Sequence, residues 1–129
     1  MGLFNKLFGG SGEQRDEKTL PWIDLTEIDQ LQTIKEASTN KTQIIFKHSI
    51  HCGISRMVMN QFVEDYDFSE SDVDLYYLDL INNRSVSNAV EDVFQVRHES
   101  PQVLVIKNGI VVAHDSHGGI NNLDLKSFI

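Results

Sequence analysis

Apolar and polar positions change period several times along the chain, and each change predicts an element. Behind Pro21, Trp22-Ile23-Asp24-Leu25 alternates weakly, as a short edge strand does. Thr26 is a good helix N-cap, with Glu27 and Asp29 placed for the first turn, and Ile28, Leu31 and Ile34 form an apolar stripe up to about Ser38. Thr39-Asn40-Lys41 breaks it. Gln43 to Lys47 (QIIFK) is short, β-branched and apolar in its middle, which predicts a strand buried on both faces. Past Cys52, Ile54, Met57, Val58 and Phe62 recur at helical spacing, widened by Val63 and Tyr66. Asp72 to Leu80 alternates again as a strand. Asn83 is placed to cap a helix carrying Val86, Ala89, Val90, Val93 and Phe94.

Ser100-Pro101 precedes a further strand, Gln102 to Lys107. Asn108-Gly109 then signals a two-residue hairpin into Ile110 to His114. His117-Gly118-Gly119 reads as a turn, and Leu123, Leu125 and Phe128 suggest a short closing helix. The order β-α-β-α-β-α-β-β-α predicts an α/β fold: a mixed central sheet with helices on both faces and a C-terminal β-hairpin. Gly9, Gly10, Gly12 and the charged run Glu13 to Lys18 make residues 1–19 a flexible lead, leaving 20–129 as the domain.

At 129 residues, 40% hydrophobic and 23% charged, the chain suits one soluble domain with a real core. A formal charge of -8 argues against nucleic-acid binding and against attraction to anionic membranes. No apolar run approaches the roughly 18 residues of a membrane span, and the first residues lack a signal-peptide core. Leu3, Phe4, Leu7 and Phe8 suit a peripheral membrane toe-hold less well than a frayed tail, and Lys6 breaks the myristoylation pattern. One cysteine excludes an internal disulfide and a cysteine-rich zinc site, and fits a reducing, cytoplasmic setting.

That cysteine lies in FKHSIHCGISRM, just past a strand and at the start of a helix. Open backbone N–H groups and the positive helix end favour thiolate over thiol at Cys52. Gly53 leaves a backbone N–H beside the sulfur, and Ser55, three residues on, has a hydroxyl to donate. His48 and His51, if protonated, and Lys47 and Arg56 would add positive charge. Ser55 cannot resolve a mixed disulfide as a second cysteine would, so the site suits one-thiol exchange finished by an external thiol. A buried cysteine acting as a small hydrophobe is the plainer alternative.

The element order, the cysteine at the first core strand–helix turn and Ser-Pro before QVLVIK together resemble a thioredoxin fold over about residues 22 to 128. The resemblance implies a cis-proline at Pro101 opposite Cys52, with the Ser100 backbone pairing with an extended thiol substrate. Within the superfamily the chain is similar to monothiol bacilliredoxin-like proteins, whose site often reads Thr-Cys-Pro-Ile-Ser; His51 and Gly53 replace the Thr and Pro here. That implies removal of bacillithiol from protein mixed disulfides, with bacillithiol as co-substrate and no bound cofactor. Bacillithiolated proteins would be the partners. Gly118-Gly119 matches a Gly-Gly turn that lets a thiol cofactor approach the backbone in glutaredoxin-like members, although a plain turn before a helix cap explains it slightly better. Lys47, Arg56 or Arg97 could pair with bacillithiol's carboxylates, although an ordinary surface charge is the plainer reading of each, and His98 could border the site. With ten residues after Gly119, the fold's final helix should be shortened.

Rival readings are weaker. His48, His51 and Cys52, or His114 and His117, do not fix a metal geometry as a His pair one turn apart on a helix does, so no metal is expected. A non-catalytic adaptor with an incidental cysteine uses the same fold. A thiol peroxidase or arsenate reductase lacks its motifs, and Asp72, Asp74 and Asp79 suit a solvated strand face.

Overall fold

A computed structural model describes residues 19–49 and 51–129; the glycine-rich lead and its apolar residues Leu3 to Phe8 lie outside the described residues. Among the described residues, five strands and three α-helices follow one another as β1 (Trp22–Asp24), α1 (Asp29–Ala37), β2 (Thr42–His48), α2 (Gly53–Asp65), β3 (Val73–Asp79), α3 (Arg84–Phe94), β4 (Gln102–Lys107) and β5 (Ile110–Ser116). Two short 3-10 turns, His117–Asn122 and Leu125–Phe128, close the chain. The sheet order is β1-β3-β2-β4-β5, parallel among the first three strands and antiparallel from β2 through β4 to β5.

Alternation along β2 builds the two-sided core. Ile45 joins Leu31, Ile34, Val86, Val90 and Phe94 under α1 and α3. Ile44 and Phe46 join Val58, Phe62 and Tyr66 under α2. Every residue from Thr42 to His48 is buried, as a central strand with helices on both faces requires. Phe46 and Phe62 pack edge-on with centroids 4.9 Å apart, and Trp22 of edge strand β1 closes that cluster against Tyr77 at 5.6 Å. The final helix is replaced by the 3-10 turns, whose Leu123, Leu125 and Phe128 pack on the α2-side core.

Helix α1 starts later than its sequence predicts. Its N-cap is Ile28, and Thr26 makes no cap. Gln30 does that work from inside the helix: its Oε1 accepts the N–H groups of Thr26 (2.8 Å) and Glu27 (2.9 Å), while its Nε2 donates to Asp24 O. Asn83 stands at the N-cap of α3 as expected, but its side-chain amide donates to Asp79 O instead of capping.

The Asn-Gly hairpin forms as expected, with both residues at positive φ (54° and 81°). It is fastened to the end of α1 by Ser38, whose carbonyl accepts from Asn108 N–H and whose Oγ accepts from Gly109 N–H at 2.8 Å. Ser38 is itself buried. Ser38→Ala should therefore cost about 1–2 kcal/mol in urea unfolding with no change in slope, since one turn N–H loses its partner.

Candidate active site

The carboxyl end of β2 delivers the chain to the cysteine. Cys52 is the N-cap of α2, extended at φ -103°, ψ 120°, and half-buried. Its carbonyl accepts from Arg56 N–H and its own N–H donates to Ser49 O. The sulfur thus stands at the open amino end of a 13-residue helix, where backbone N–H groups favour a negative atom.

The register sets the proline beside it. Strands β2 and β4 pair antiparallel from Gln43–Ile106 to Lys47–Gln102, so Pro101 falls one step beyond, level with His48. The Ser100–Pro101 peptide bond is cis, as the resemblance implied. Pro101 is buried and Ser100 is half-buried. Pro101 O accepts from His117 N–H at 3.0 Å, which ties the proline to the Gly118-Gly119 turn. That turn docks on α2 through Asn121 Nδ2, which donates to Val58 O. Cys52, Pro101 and Gly118 therefore belong to one end of the sheet.

Ser55 does something other than what its spacing suggested. It is fully buried, and its Oγ accepts from Ser49 N–H (3.2 Å) and lies 2.7 Å from His48 Nδ1. Among the described residues no side chain hydrogen-bonds to Sγ of Cys52. Ser55 instead fastens the start of α2 to His48 and Ser49 at the strand end, which sets where the helix and its cysteine begin.

Burial lowers the His48 imidazole below its ordinary range, Asp79 opposes that, and Arg56 adds to it. A neutral His48 contributes no cation to the thiolate. His51 is exposed, and none of its hydrogen bonds reaches the sulfur among the described residues.

Lys47 departs furthest from expectation. It points to the opposite face from His48, is fully buried, and bonds His98 Nδ1 at 3.1 Å. It is therefore no surface partner for a ligand carboxylate, whereas Arg56 and Arg97 are exposed. Burial pulls its ammonium from the ordinary 10.5 to about 8, against the opposing charge of Glu91.

The glycines separate. Around Gly53 and Gly118 a Cβ would meet nothing, whereas at Gly119 it would collide with the Asp115 carboxylate. A side chain at Gly119 would have to displace that carboxylate, whereas Gly118 leaves open backbone. No group of three or more His, Cys, Asp or Glu side chains able to hold a metal occurs among the described residues.

On α2 the buried face is Ser55, Val58 and Phe62, while Ile54 (61%) and Met57 (72%) are exposed. Two apolar stripes overlap in this helix, and spacing alone does not say which one turns inward. The exposed pair forms an apolar lip in the first turns after Cys52. This lip was not evident from periodicity, because both residues fit the buried stripe equally well.

A mixed sheet of this order, with a cysteine at the first core strand–helix junction and a cis-proline entering the next antiparallel strand, defines a thioredoxin-fold protein. A sequence model described as monothiol bacilliredoxin BrxC matches residues 23–125, and the chain belongs to that family. Among solved structures, it is similar to a thioredoxin-fold protein proposed to be an oxidoreductase, at 35% identity and TM-score 0.68, covering 82% of this chain and 91% of the other. Thioredoxins share the fold at lower identity. That of Malassezia sympodialis matches at 16% identity and TM-score 0.64, covering 88% and 93%. That of Schistosoma mansoni matches at 19% and 0.61, covering 84% and 95%.

Two predictions follow from this geometry. Gly53 is the first helical residue, its surroundings are open, and Cys52 already has the extended conformation that precedes proline. Gly53→Pro should raise stability by about 0.5–1 kcal/mol in denaturant unfolding, chiefly by restricting the unfolded chain.

For Lys47, the folded state binds its proton more weakly than the unfolded state does. Between pH 8 and 10.5 the unfolded chain retains a proton that the folded chain has released. Stability from this group therefore rises with pH through that window and is flat on either side. Replacing Lys47 by Met should remove the rise and add about 1–3 kcal/mol at pH 7, measured as the difference between variant and wild-type unfolding curves.

Proposed function

We propose that the protein is a monothiol thiol–disulfide oxidoreductase that removes bacillithiol from protein mixed disulfides. The observation that carries this is a single half-buried thiol at the amino end of α2, with a fully buried serine where a resolving cysteine would stand. Membership of the monothiol bacilliredoxin family supports bacillithiol as the thiol exchanged.

The exchange is a substitution at sulfur. The Cys52 thiolate attacks the bacillithiol sulfur of a mixed disulfide. A Cys52–bacillithiol bond forms as the bond to the target breaks, and the target leaves as a thiolate that takes a proton from solvent. Ser55 offers no thiol, so a second low-molecular-weight thiol attacks the bacillithiol sulfur and releases the Cys52 thiolate. That external thiol supplies the reducing electrons and ends in the low-molecular-weight disulfide. No cofactor is bound in this scheme.

The chain's own residues orient the target. The Ser100 backbone ahead of Pro101 offers strand-like pairing to an extended segment. Ile54 and Met57 offer an apolar lip beside the thiol, suited to a target protein's surface. Gly118 leaves room for the bacillithiol moiety to approach the backbone, and Arg56 and Arg97 are the exposed cations for its carboxylates. No helix of the described residues is long and apolar enough to cross a membrane. Free-thiol chemistry of this kind belongs in a reducing cytoplasm.

The test is release of free thiol from a bacillithiolated protein, followed with excess bacillithiol present. Wild type should accelerate release, and Cys52→Ser should reduce it to the uncatalysed rate. Full activity in Cys52→Ser would reject the proposal. No acceleration by wild type, together with retained binding of target proteins, would favour an adaptor role for the same lip.

A further inference from the structure

The segment that carries Ser100 and Pro101, residues 95–101, has no regular structure of its own. Its shape is set by contacts with the rest of the fold. Val96 enters the core under α1 and α3. Gln102 folds back, donating from Nε2 to Arg97 O (2.9 Å) and accepting from Glu99 N–H (3.3 Å) at Oε1. The Glu99 carboxylate accepts from Ser116 Oγ on β5. Between these fastenings, His98 reaches Lys47.

Lys47 is the fully buried cation among the described residues, on the last turn of β2's alternation before the chain leaves for Cys52. An apolar side chain of similar size would fill that position without the desolvation cost of an ammonium. Lysine has three N–H donors and no lone pair, so at 3.1 Å the Nδ1 of His98 must be the acceptor. That assigns the His98 ring proton to Nε2. Ser87 Oγ, on α3, lies 3.3 Å from the same nitrogen and shares its single lone pair at longer range. The other charged groups acting on His98 are Glu91 and Arg84 of α3 and Glu99 of the segment itself. The Lys47–His98 contact is thus the charge-assisted bond joining the proline segment to the central strand, two residues before Ser100.

We propose that Lys47 is a positioning residue, which through His98 holds the Ser100–Pro101 segment in the shape that an extended disulfide substrate pairs with. This rests on the thiol-exchange reading of the site, since it assigns no part of the chemistry at sulfur to Lys47. Strand β2 then positions both halves of the site from adjacent residues. His48 holds Ser55 and the turn before the cysteine on one face, and Lys47 holds the proline segment on the other.

The test compares wild type, Lys47→Met, His98→Leu and the double variant by three readouts. The first is kcat and KM for release of thiol from a bacillithiolated protein. Each single variant should raise KM about tenfold, the factor carried by one charge-assisted hydrogen bond, with kcat within about twofold. The double variant should be no worse than the singles, because both remove one link.

The second is alkylation of Cys52 by iodoacetamide, which needs no pairing with Ser100 and should be unchanged. The third is amide exchange at residues 97–100 together with the nitrogen-15 shifts of His98. Exchange should speed up in every variant, and wild type should show the Nε2–H tautomer. Lys47→Met should be at least as stable as wild type, so a raised KM in it is not loss of fold.

Unchanged KM, unchanged exchange at 97–100, or a wild-type His98 protonated on Nδ1 would each overturn the proposal. If wild type releases no thiol at all, the thiol-exchange reading fails instead, and the exchange and tautomer measurements still decide whether Lys47 tethers the segment.

Discussion

The burial of β2 on both faces is the constraint on which the rest of the structure depends. A strand covered on one side alone can leave its alternate residues in water. Here α2 covers one face, α1 and α3 cover the other, and every residue from Thr42 to His48 is buried. Three apolar residues in the middle satisfy this at once. The two polar residues at the carboxyl end, Lys47 and His48, must each find a partner inside the protein, because a buried polar group without one is costly.

Those partners define the site. Alternation sends the two side chains to opposite faces, where His48 meets Ser55 and Lys47 meets His98. Each partner belongs to a segment that borders a residue of the proposed site: Ser55 to the helix that begins after Cys52, His98 to the segment that ends in the cis-proline. The cysteine and the proline come together because the same strand end anchors both. The departures of this chain from the family's usual Thr-Cys-Pro-Ile-Ser site leave that arrangement intact, since neither His51 nor Gly53 takes part in the anchoring.

Much of this was legible in the sequence, for identifiable reasons. QIIFK has no polar alternation, so a doubly covered strand was the direct reading. Asn108-Gly109 supplies the positive φ angles of a tight hairpin, and the place of Ser-Pro before an apolar strand matched a family position. What escaped was the direction of individual side chains. A lysine ending an apolar strand reads as a surface charge, and only the helices packed over Lys47 reveal that it is enclosed. Ser55 reads as a donor to sulfur by helical spacing, but the histidine beneath it competes for the hydroxyl. Gln30 caps α1 from within it, a reach-back that defeats the usual search for a capping residue at the start. Ile54 and Met57 fit an inward stripe as well as Ser55 and Val58 do, and only packing chose between them.

The most direct measurement is the intact mass of the reduced protein after mixing with a bacillithiolated target, without added thiol. One-thiol exchange predicts that the protein gains the mass of one bacillithiol, mapped to Cys52, as the target loses it. A target that stays modified while Cys52 stays bare would contradict the account.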